Sequence, residues 1–329
     1  MSSPPSVLTP EEKEHFLTHG WIKISGACTI EQAAEVTKNV WTRLGMSPTD
    51  KSTWHTLRTN MPGHNTFHAS SLAPRAWAAV TELCGGADRI TPDSALWKDS
   101  LIVNLGTPEG QDRPIPPQDL DGWHVDGDFF VHYLDSPEQG LLVIPLFTDI
   151  EPDGGATFIC PDAIPIFAKH LHDHPEGVSP RMTPRGQPGF NTEPDLAWAC
   201  NVAKGCTHFV EATGKAGDVY LLHPLMLHSA SSNAKRNVRI ITNPKVALNE
   251  PFNFDREDGN YSLVEQVTLR ALGKDRLKGW KITMPREEVI PERVRIQERM
   301  RLEELKRLEE EEAKRKSQSE TTTQISAAA

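Results

Sequence analysis

The chain has 329 residues, 37% of them hydrophobic, and a formal net charge of −10 from 35 basic and 45 acidic residues. The negative charge disfavours broad contact with nucleic acid or anionic lipid, and no run approaches the roughly 18 apolar residues that a membrane span needs. Because the charge disfavours these partners, we expect the partner to be a small molecule; the oligomeric state stays open. Five cysteines without Cys-x-x-Cys spacing argue against a disulfide framework and a zinc site.

The first 90 residues predict a helical preface. Residues 1–10 lack the pattern of a secretory signal or transit segment, so the expected location is cytoplasmic. Thr-Pro-Glu-Glu at 9–12 and Thr-Ile-Glu-Gln at 29–32 are capping boxes that each begin a helix, and Gly20 ends the first. A further helix is predicted from Pro74 to Leu83.

From about residue 95 the pattern changes to short apolar runs bounded by proline and glycine, which is typical of an all-β sandwich or barrel. The runs at 140–150 and 156–160 predict a hairpin around Gly154 and Gly155. Residues 161–195 predict a long irregular excursion, either a lid over a site or mobile surface. The other predicted strands are 95–97, 101–105, 198–202, 207–211, 218–223 and 238–243.

Beyond about Pro285 the composition changes again. Residues 286–320 contain 10 basic and 11 acidic residues, followed by a Ser/Thr/Gln/Ala tail. This predicts a solvated helix of mixed charge and then disorder, and the absence of a strict heptad disfavours a coiled coil.

The stretch that carries chemistry is Trp-His-Val-Asp-Gly-Asp at 123–128. Side chains alternate along a strand, so His124 and Asp126 should point to the same face. Two histidines and one carboxylate on one face form the facial triad of non-heme Fe(II) oxygenases, which leaves open positions on the metal. His-x-Asp alone is a weak signal, so a third ligand and an anchor for a co-substrate are needed.

Downstream, a strand that opens with Gly217 and Asp218 leads into His-Pro-Leu-Met-Leu-His at 223–228, and Asn233 and Arg239 follow five and eleven residues after the last histidine. The combined order resembles the phytanoyl-CoA hydroxylase family of Fe(II)/2-oxoglutarate-dependent dioxygenases, from the first helix to about residue 250. The tail after Pro285 lies outside the resemblance.

The resemblance implies that His124, Asp126 and His228 bind the metal and that Arg239 binds the distal carboxylate of 2-oxoglutarate. A guanidinium suits the last role because its planar fork pairs bidentately with a carboxylate. Two alternatives stay open: His223 as the third ligand, although Pro224 intervenes, and Arg236 as the anchor. The basic residue that many family members place before the barrel would fall near Arg58.

The implied fold is mainly β: a double-stranded β-helix (jelly-roll, cupin-like) core with flanking N-terminal α-helices and a charged C-terminal helix. The expected catalytic domain spans residues 1–284, with the helical preface at about 9–90 and the jelly-roll core at about 95–250, and residues 285–329 form the tail.

The implied activity is oxidation of a small organic molecule, most simply hydroxylation, with release of succinate and CO2. Its cofactors and co-substrates would be Fe(2+), 2-oxoglutarate and O2, and ascorbate is compatible with it. The alternatives are desaturation, ring formation or epimerisation on the same scaffold, and a non-catalytic jelly-roll binding module.

Other candidates have a functional and a structural interpretation. The histidines at 170, 172 and 174 form a possible metal cluster but lie in the excursion. Aromatic residues around the motif could form a substrate pocket or ordinary core. Asp128 and His132 are candidate substrate contacts, and Asn104 is a candidate co-substrate contact. The aromatic residues in question are Trp123, Phe129, Phe130 and Tyr133.

Overall fold

Helices precede and follow a middle part built mainly on short antiparallel strands. The computed structural model describes residues 6–192 and 195–327, with side chains as far as residue 319. The helices of this part are α1 Pro10–His19, α2 Ile30–Thr37, α3 Val40–Leu44, α4 Ala69–Leu72, α5 Pro74–Leu83, α6 Ile164–Asp173, α7 Ala197–Lys204, α8 Leu263–Ala271 and α9 Arg293–Ala327. The strands are β1 Trp21–Ile24, β2 Arg58–Asn60, β3 Thr66–His68, β4 Leu96–Lys98, β5 Ile102–Asn104, β6 Leu141–Pro145, β7 Thr157–Cys160, β8 Val210–Ala212, β9 Val219–Leu222, β10 Leu227–Ala230, β11 Arg239–Ile241 and β12 Lys245–Val246.

The strands of the described residues form four antiparallel sheets, ordered β1-β9-β6-β12, β10-β7-β8, β11-β5-β2 and β3-β4. None of these sheets closes on itself within that part of the chain. A bridge between Leu146 and Ile241 connects the first sheet to the third. Helices account for more residues than strands, so the protein combines helices with antiparallel sheets instead of being mainly β.

Helices α1, α2 and α5 begin where the sequence predicted helices. Thr9 and Glu12 form the capping box of α1. Gly20 ends the helix in the left-handed conformation at φ 71°. This φ is strained for residues with a side chain, and a Cβ here would also meet Ile164 Cδ1 at 2.3 Å, so glycine is favoured at this position. This exit turns the chain directly into β1, which lies beside β9.

Three predictions in the middle of the chain differ from the structure. Residues 198–202 belong to helix α7, where Ala199 and Ala203 are buried four residues apart; a short apolar run does not by itself distinguish a strand from a helix. The runs around Gly154 and Gly155 do not pair as a hairpin, because β6 pairs with β9 and β12 while β7 pairs with β10 and β8. The excursion at 161–195 contains helix α6, and its residues 193–194 lie outside the described residues.

The charged C-terminal segment is largely exposed, as predicted, but it is not separate from the rest. Helix α9 packs against α3, and its Glu304 is only 2% exposed. The helix continues to Ala327, into the segment predicted to be disordered, and residues 328–329 lie outside the described part. Among the described helices, none combines the length and apolar composition that a membrane crossing requires.

Candidate metal centre

His124, Asp126 and His228 come together in the structure. The Nε2 atoms of His124 and His228 each lie 3.6 Å from Asp126 Oδ1. The ligand atoms of the three residues all lie within 4.8 Å of one another. Two donors bound at about 2.1 Å are about 3 Å apart at right angles and about 4 Å apart on opposite sides of a metal, so one ion fits among these three.

Strand pairing positions the two imidazoles. His124 and His228 face each other across an antiparallel bridge, with backbone hydrogen bonds of 3.0 and 2.9 Å in the two directions. His228 belongs to β10, which pairs with β7, whereas His124 lies on an isolated bridge. The sequence predicted a regular strand at His124, but the structure has only this bridge there. The side chains of His124 and Asp126 nevertheless point toward the same site, as predicted.

Backbone carbonyls fix the tautomers of both histidines. Nδ1 of His124 lies 2.7 Å from the Gly122 carbonyl oxygen, and Nδ1 of His228 lies 3.0 Å from that of Met226. A carbonyl oxygen only accepts, so each Nδ1 carries the proton and each Nε2 is free to bind a metal. The backbone thus prepares both nitrogens for coordination.

The carboxylate and the buried imidazole shift each other's pKa. Burial alone would raise the pKa of Asp126, but interactions with His124 and His228 outweigh it and hold that pKa well below its usual value. Burial alone would lower the pKa of His228, and Asp126 instead raises it. A metal ion therefore competes with a proton at this pair. The donor set of two nitrogens and one oxygen suits Fe(II).

Asn243 is a part of the centre that the sequence did not indicate. Its Nδ2 donates to Asp126 Oδ2 at 3.2 Å, so the carboxylate oxygen that faces away from the imidazoles has its own partner. This bond favours one orientation of the carboxylate, with Oδ1 toward the two histidines. Asn243 comes two residues after β11.

A hydrogen bond from the buried side chain of His132 stabilises the turn after Asp126. This side chain is 3% exposed, and its Nε2 donates to the Gly127 carbonyl oxygen at 2.8 Å. Burial lowers the pKa of His132 to about 4, so the ring is neutral near pH 7. The sequence suggested His132 and Asp128 as substrate contacts; His132 instead supports the backbone, and Asp128 pairs with Arg293.

Arg239 is a buried cation without an anionic partner. Its side chain is 1% exposed; Nη2 donates to Thr157 Oγ1 at 2.9 Å and Nη1 to the Ile102 carbonyl oxygen at 3.4 Å. Its Nε has no hydrogen-bond partner, and no carboxylate of the described residues pairs with it. Burial and the nearby charge of Arg58 lower the pKa of Arg239 to about 9. A guanidinium in this situation is stabilised by an anionic ligand.

Strand register relates this cation to the metal ligands. His228 lies opposite Ile159, and Thr157 is two residues from Ile159, so Thr157 and His228 share one face of the β10-β7-β8 sheet. The guanidinium of Arg239 reaches that face through Thr157. Thr157 therefore lies one same-face position, about 6.6 Å, along β7 from the residue opposite His228.

The alternative residues have other partners. His223 is fully buried; its Nε2 lies 2.9 Å from Thr268 Oγ1 and its Nδ1 accepts from the Leu225 N–H, which leaves no nitrogen for a metal. Arg236 is half-buried with its guanidinium over the Trp54 ring at 5.8 Å.

Asn104 and Arg58 occupy neighbouring register positions. Asn104 pairs with Arg239 on one side and with Arg58 on the other, so all three side chains share one face. Asn104 is 5% exposed and hydrogen bonds to Ser231 and Gly106 through its amide, which makes it a structural residue. Arg58 is exposed.

The other predicted sites are structural. The histidines of the excursion have separate partners, since His170 donates to the Met182 carbonyl oxygen and His172 and His174 pair with Asp173 and Glu176. Within the described residues, the histidine and carboxylate group around His228 is the one that could hold a metal. Of the four aromatic residues near the motif, three are buried core and only Phe129 is partly exposed: the buried ones are Trp123, Phe130 and Tyr133.

No protein-family model matches the chain, and no curated protein matches it. Among solved structures, it is similar to the non-heme alpha-ketoglutarate-dependent carbocyclase SnoK from nogalamycin biosynthesis, with 15% identity, 75% of this chain and 87% of that chain covered, and a TM-score of 0.41. It is also similar to EctD from S. alaskensis with 2-oxoglutarate and 5-hydroxyectoine, with 14% identity, 75% of this chain and 77% of that chain covered, and a TM-score of 0.39. The similarity to HygX from Streptomyces hygroscopicus with nickel and 2-oxoglutarate is 14% in identity, covers 76% of this chain and 90% of that chain, and has a TM-score of 0.39. Likenesses this low do not establish a family.

Proposed function

We propose that this protein is an Fe(II)/2-oxoglutarate-dependent dioxygenase of the phytanoyl-CoA hydroxylase type, with a jelly-roll core. The observation that supports this most is the convergence of His124, Asp126 and His228, whose ligand atoms lie within 4.8 Å of one another. The unpaired guanidinium of Arg239 beside the same sheet face is the second. A divalent metal and a dicarboxylate would satisfy both at once.

In this proposal, some side chains bind the metal and others bind the co-substrate. The Nε2 atoms of His124 and His228 and Oδ1 of Asp126 would hold Fe(II), and Asn243 would keep the carboxylate in orientation. Arg239 would bind the distal carboxylate of 2-oxoglutarate, with Thr157 fixing the guanidinium. Bound iron supplies oxygen activation coupled to oxidative decarboxylation of 2-oxoglutarate to succinate and CO2.

The environment of Arg239 would contribute to affinity. Because the guanidinium is 1% exposed, a carboxylate bound to it is shielded from water and interacts more strongly than at the surface. The opposite end of the site is more open, since the side chains of His124 and Asp126 are 35% and 18% exposed. A small organic substrate would approach from this side. Hydroxylation is the simplest outcome; desaturation, ring formation and epimerisation would use the same residues.

The experiment is an anaerobic titration of the purified protein with Fe(II) and 2-oxoglutarate, followed by the weak visible absorption of the metal complex of 2-oxoglutarate, and a succinate-release assay in air. We expect the absorption band in the wild type and its loss in Asp126→Ala. His172→Ala, a surface histidine with a carboxylate partner of its own, is the matched control and should retain the band.

If the wild-type protein binds neither Fe(II) nor 2-oxoglutarate, this result would contradict the proposed enzymatic activity and favour a non-catalytic binding module. Binding of both without succinate release in any substrate pool would also favour that module. Succinate release with a product whose mass lacks an added oxygen would favour one of the other oxidative outcomes.

A further inference from the structure

The segment that follows Pro285 pairs with the chain just beyond the metal motif. The Val131 N–H donates to the Glu287 carbonyl oxygen at 2.9 Å, and the Val289 N–H donates to that of Phe129 at 2.8 Å. The Tyr133 hydroxyl donates to the Pro285 carbonyl oxygen at 2.8 Å. Residues 285–289 thus run antiparallel to residues 129–133, and Phe130 and Glu288 form a β-bridge.

Four residues later, Arg293 contacts the metal motif itself. Its Nε donates to Asp128 Oδ2 at 2.5 Å and its Nη2 to Asp128 Oδ1 at 2.6 Å, which is a bidentate pair. Asp128 is two residues from the metal-binding Asp126. Because the two side chains are 44% and 33% exposed, the pair contributes little to overall stability, and any effect it has is local.

Helix α9 is fixed to the core beyond Arg293, so this contact is not that of a free tail. Glu304 accepts from Arg43 Nε and from His64 Nε2, each at 2.8 Å. Arg307 donates to the Arg43 carbonyl oxygen at 2.6 Å. The β-bridge between Phe130 and Glu288 on one side and the buried ion pair of Glu304 with Arg43 on the other determine where Arg293 lies.

The turn between Asp126 and Asp128 is held from two directions. Gly127 has a φ of +122°, and a Cβ there would come within 2.6 Å of Phe130 and 2.7 Å of His132. His132 holds the Gly127 carbonyl from the buried side. Arg293 holds Asp128 from the exposed side.

We propose that the C-terminal segment 285–307 is part of the metal site, and that its Arg293 is a positioning residue that acts through Asp128 to orient Asp126. This inference rests on the proposed function, because it takes the group around Asp126 as a metal site. It extends the catalytic unit from the expected boundary at residue 284 to about residue 307.

The test measures Co(II) affinity of the full-length protein by anaerobic absorption titration for Arg293→Ala, Arg293→Lys and the matched control Arg295→Ala. Arg295 lies two positions along the same helix and is exposed. We expect Arg293→Ala to bind Co(II) roughly tenfold more weakly at an unchanged apo Tm, since outer partners of metal ligands have effects of this order. Lysine should restore part of the loss, and Arg295→Ala should match the wild type.

The same variants in an Asp128→Asn background separate positioning from a general charge effect. We expect Arg293→Ala to cause no further loss there, because the group it acts through has been neutralised. An equal loss in both backgrounds, or an affinity of Arg293→Ala within twofold of Arg295→Ala, would overturn the inference while the proposed function stands. Wild-type protein that binds no Co(II) would overturn both.

Discussion

The guanidinium of Arg239 donates through Nη2 to the Thr157 hydroxyl at 2.9 Å. Thr157 shares a sheet face with His228, so a buried cation and a proposed metal ligand from strands β11 and β10 lie along the same interior surface. The proposed site therefore has two ends: His228 belongs to the end that binds a metal, and Arg239 forms the end that binds a carboxylate. Each end can be tested separately.

Replacing Arg239 with alanine should weaken 2-oxoglutarate binding and leave metal binding unchanged. The loss of a buried, charge-assisted pair should cost about 2 to 4 kcal/mol of binding free energy. Isothermal titration calorimetry with Mn(II) or Co(II) present measures it. Arg236→Ala is the control, since that guanidinium lies over Trp54 and not toward Thr157. A loss in Arg236→Ala with none in Arg239→Ala would transfer the anchor to Arg236.

Asn243 should affect the metal and not the co-substrate. Asn243→Ala removes the donor to Asp126 Oδ2 and should weaken Co(II) affinity roughly tenfold, because the carboxylate loses its preferred orientation. The side chain of Asn249 donates only to the backbone carbonyls of Asp88 and Ile90, so Asn249→Ala serves as the control. Equal Co(II) affinities in the two variants would show that the bond from Asn243 does not matter.

The buried contact of Glu304 in the C-terminal helix should matter for stability. Glu304→Ala leaves Arg43, which is 1% exposed, with Asp99 as its remaining carboxylate at 3.3 Å, and should lower the free energy of unfolding by about 3 kcal/mol. Glu303→Ala, next in sequence, breaks only an exposed pair with Arg307 and should have a much smaller effect. Urea unfolding of the two variants gives the comparison, and equal losses would contradict the buried contact.

His223 should make the protein less stable in acid. Burial lowers its pKa to about 3 in the folded state, below the unfolded value of about 6.5. Below pH 6.5 the unfolded state therefore binds more protons, and the stability that the neutral ring contributes is lost as the pH falls toward the folded pKa.

Urea unfolding of wild type and His223→Gln between pH 7 and pH 5 measures this loss. The stability difference between the two proteins should shrink by about 2 kcal/mol over that range, because only the wild type carries the titrating ring. A difference that stays constant with pH would mean that His223 is not held neutral in the folded state.

The sequence predicted the residues whose relationship is local. His124 and Asp126 are two positions apart, and the preface helices carry their own capping boxes, so short-range patterns were sufficient. The placement of His228 and Arg239 came from the resemblance. Their proximity to the rest of the site depends on how β7, β10 and β11 pair, which composition and periodicity do not encode.

The residues that sequence reasoning missed act over long separations. Asn243 lies 117 positions from Asp126, Arg293 lies 165 from Asp128, and Glu304 lies 261 from Arg43. None belongs to a recognisable motif, and Arg293 and Glu304 are hidden in a charge-rich helix whose composition predicts solvent exposure. The sequence does not distinguish the buried Glu304 from the exposed glutamates around it, because its burial depends on contacts with distant residues.

Anaerobic Fe(II) binding by wild type, His124→Ala, Asp126→Ala and His228→Ala tests whether these three side chains form the metal site. We predict one Fe(II) per chain in the wild type and loss of tight binding in each of the three variants, with His223→Gln retaining it. Wild-type affinity preserved in any of the three variants, or lost in His223→Gln at unchanged stability, would contradict the assignment of the site.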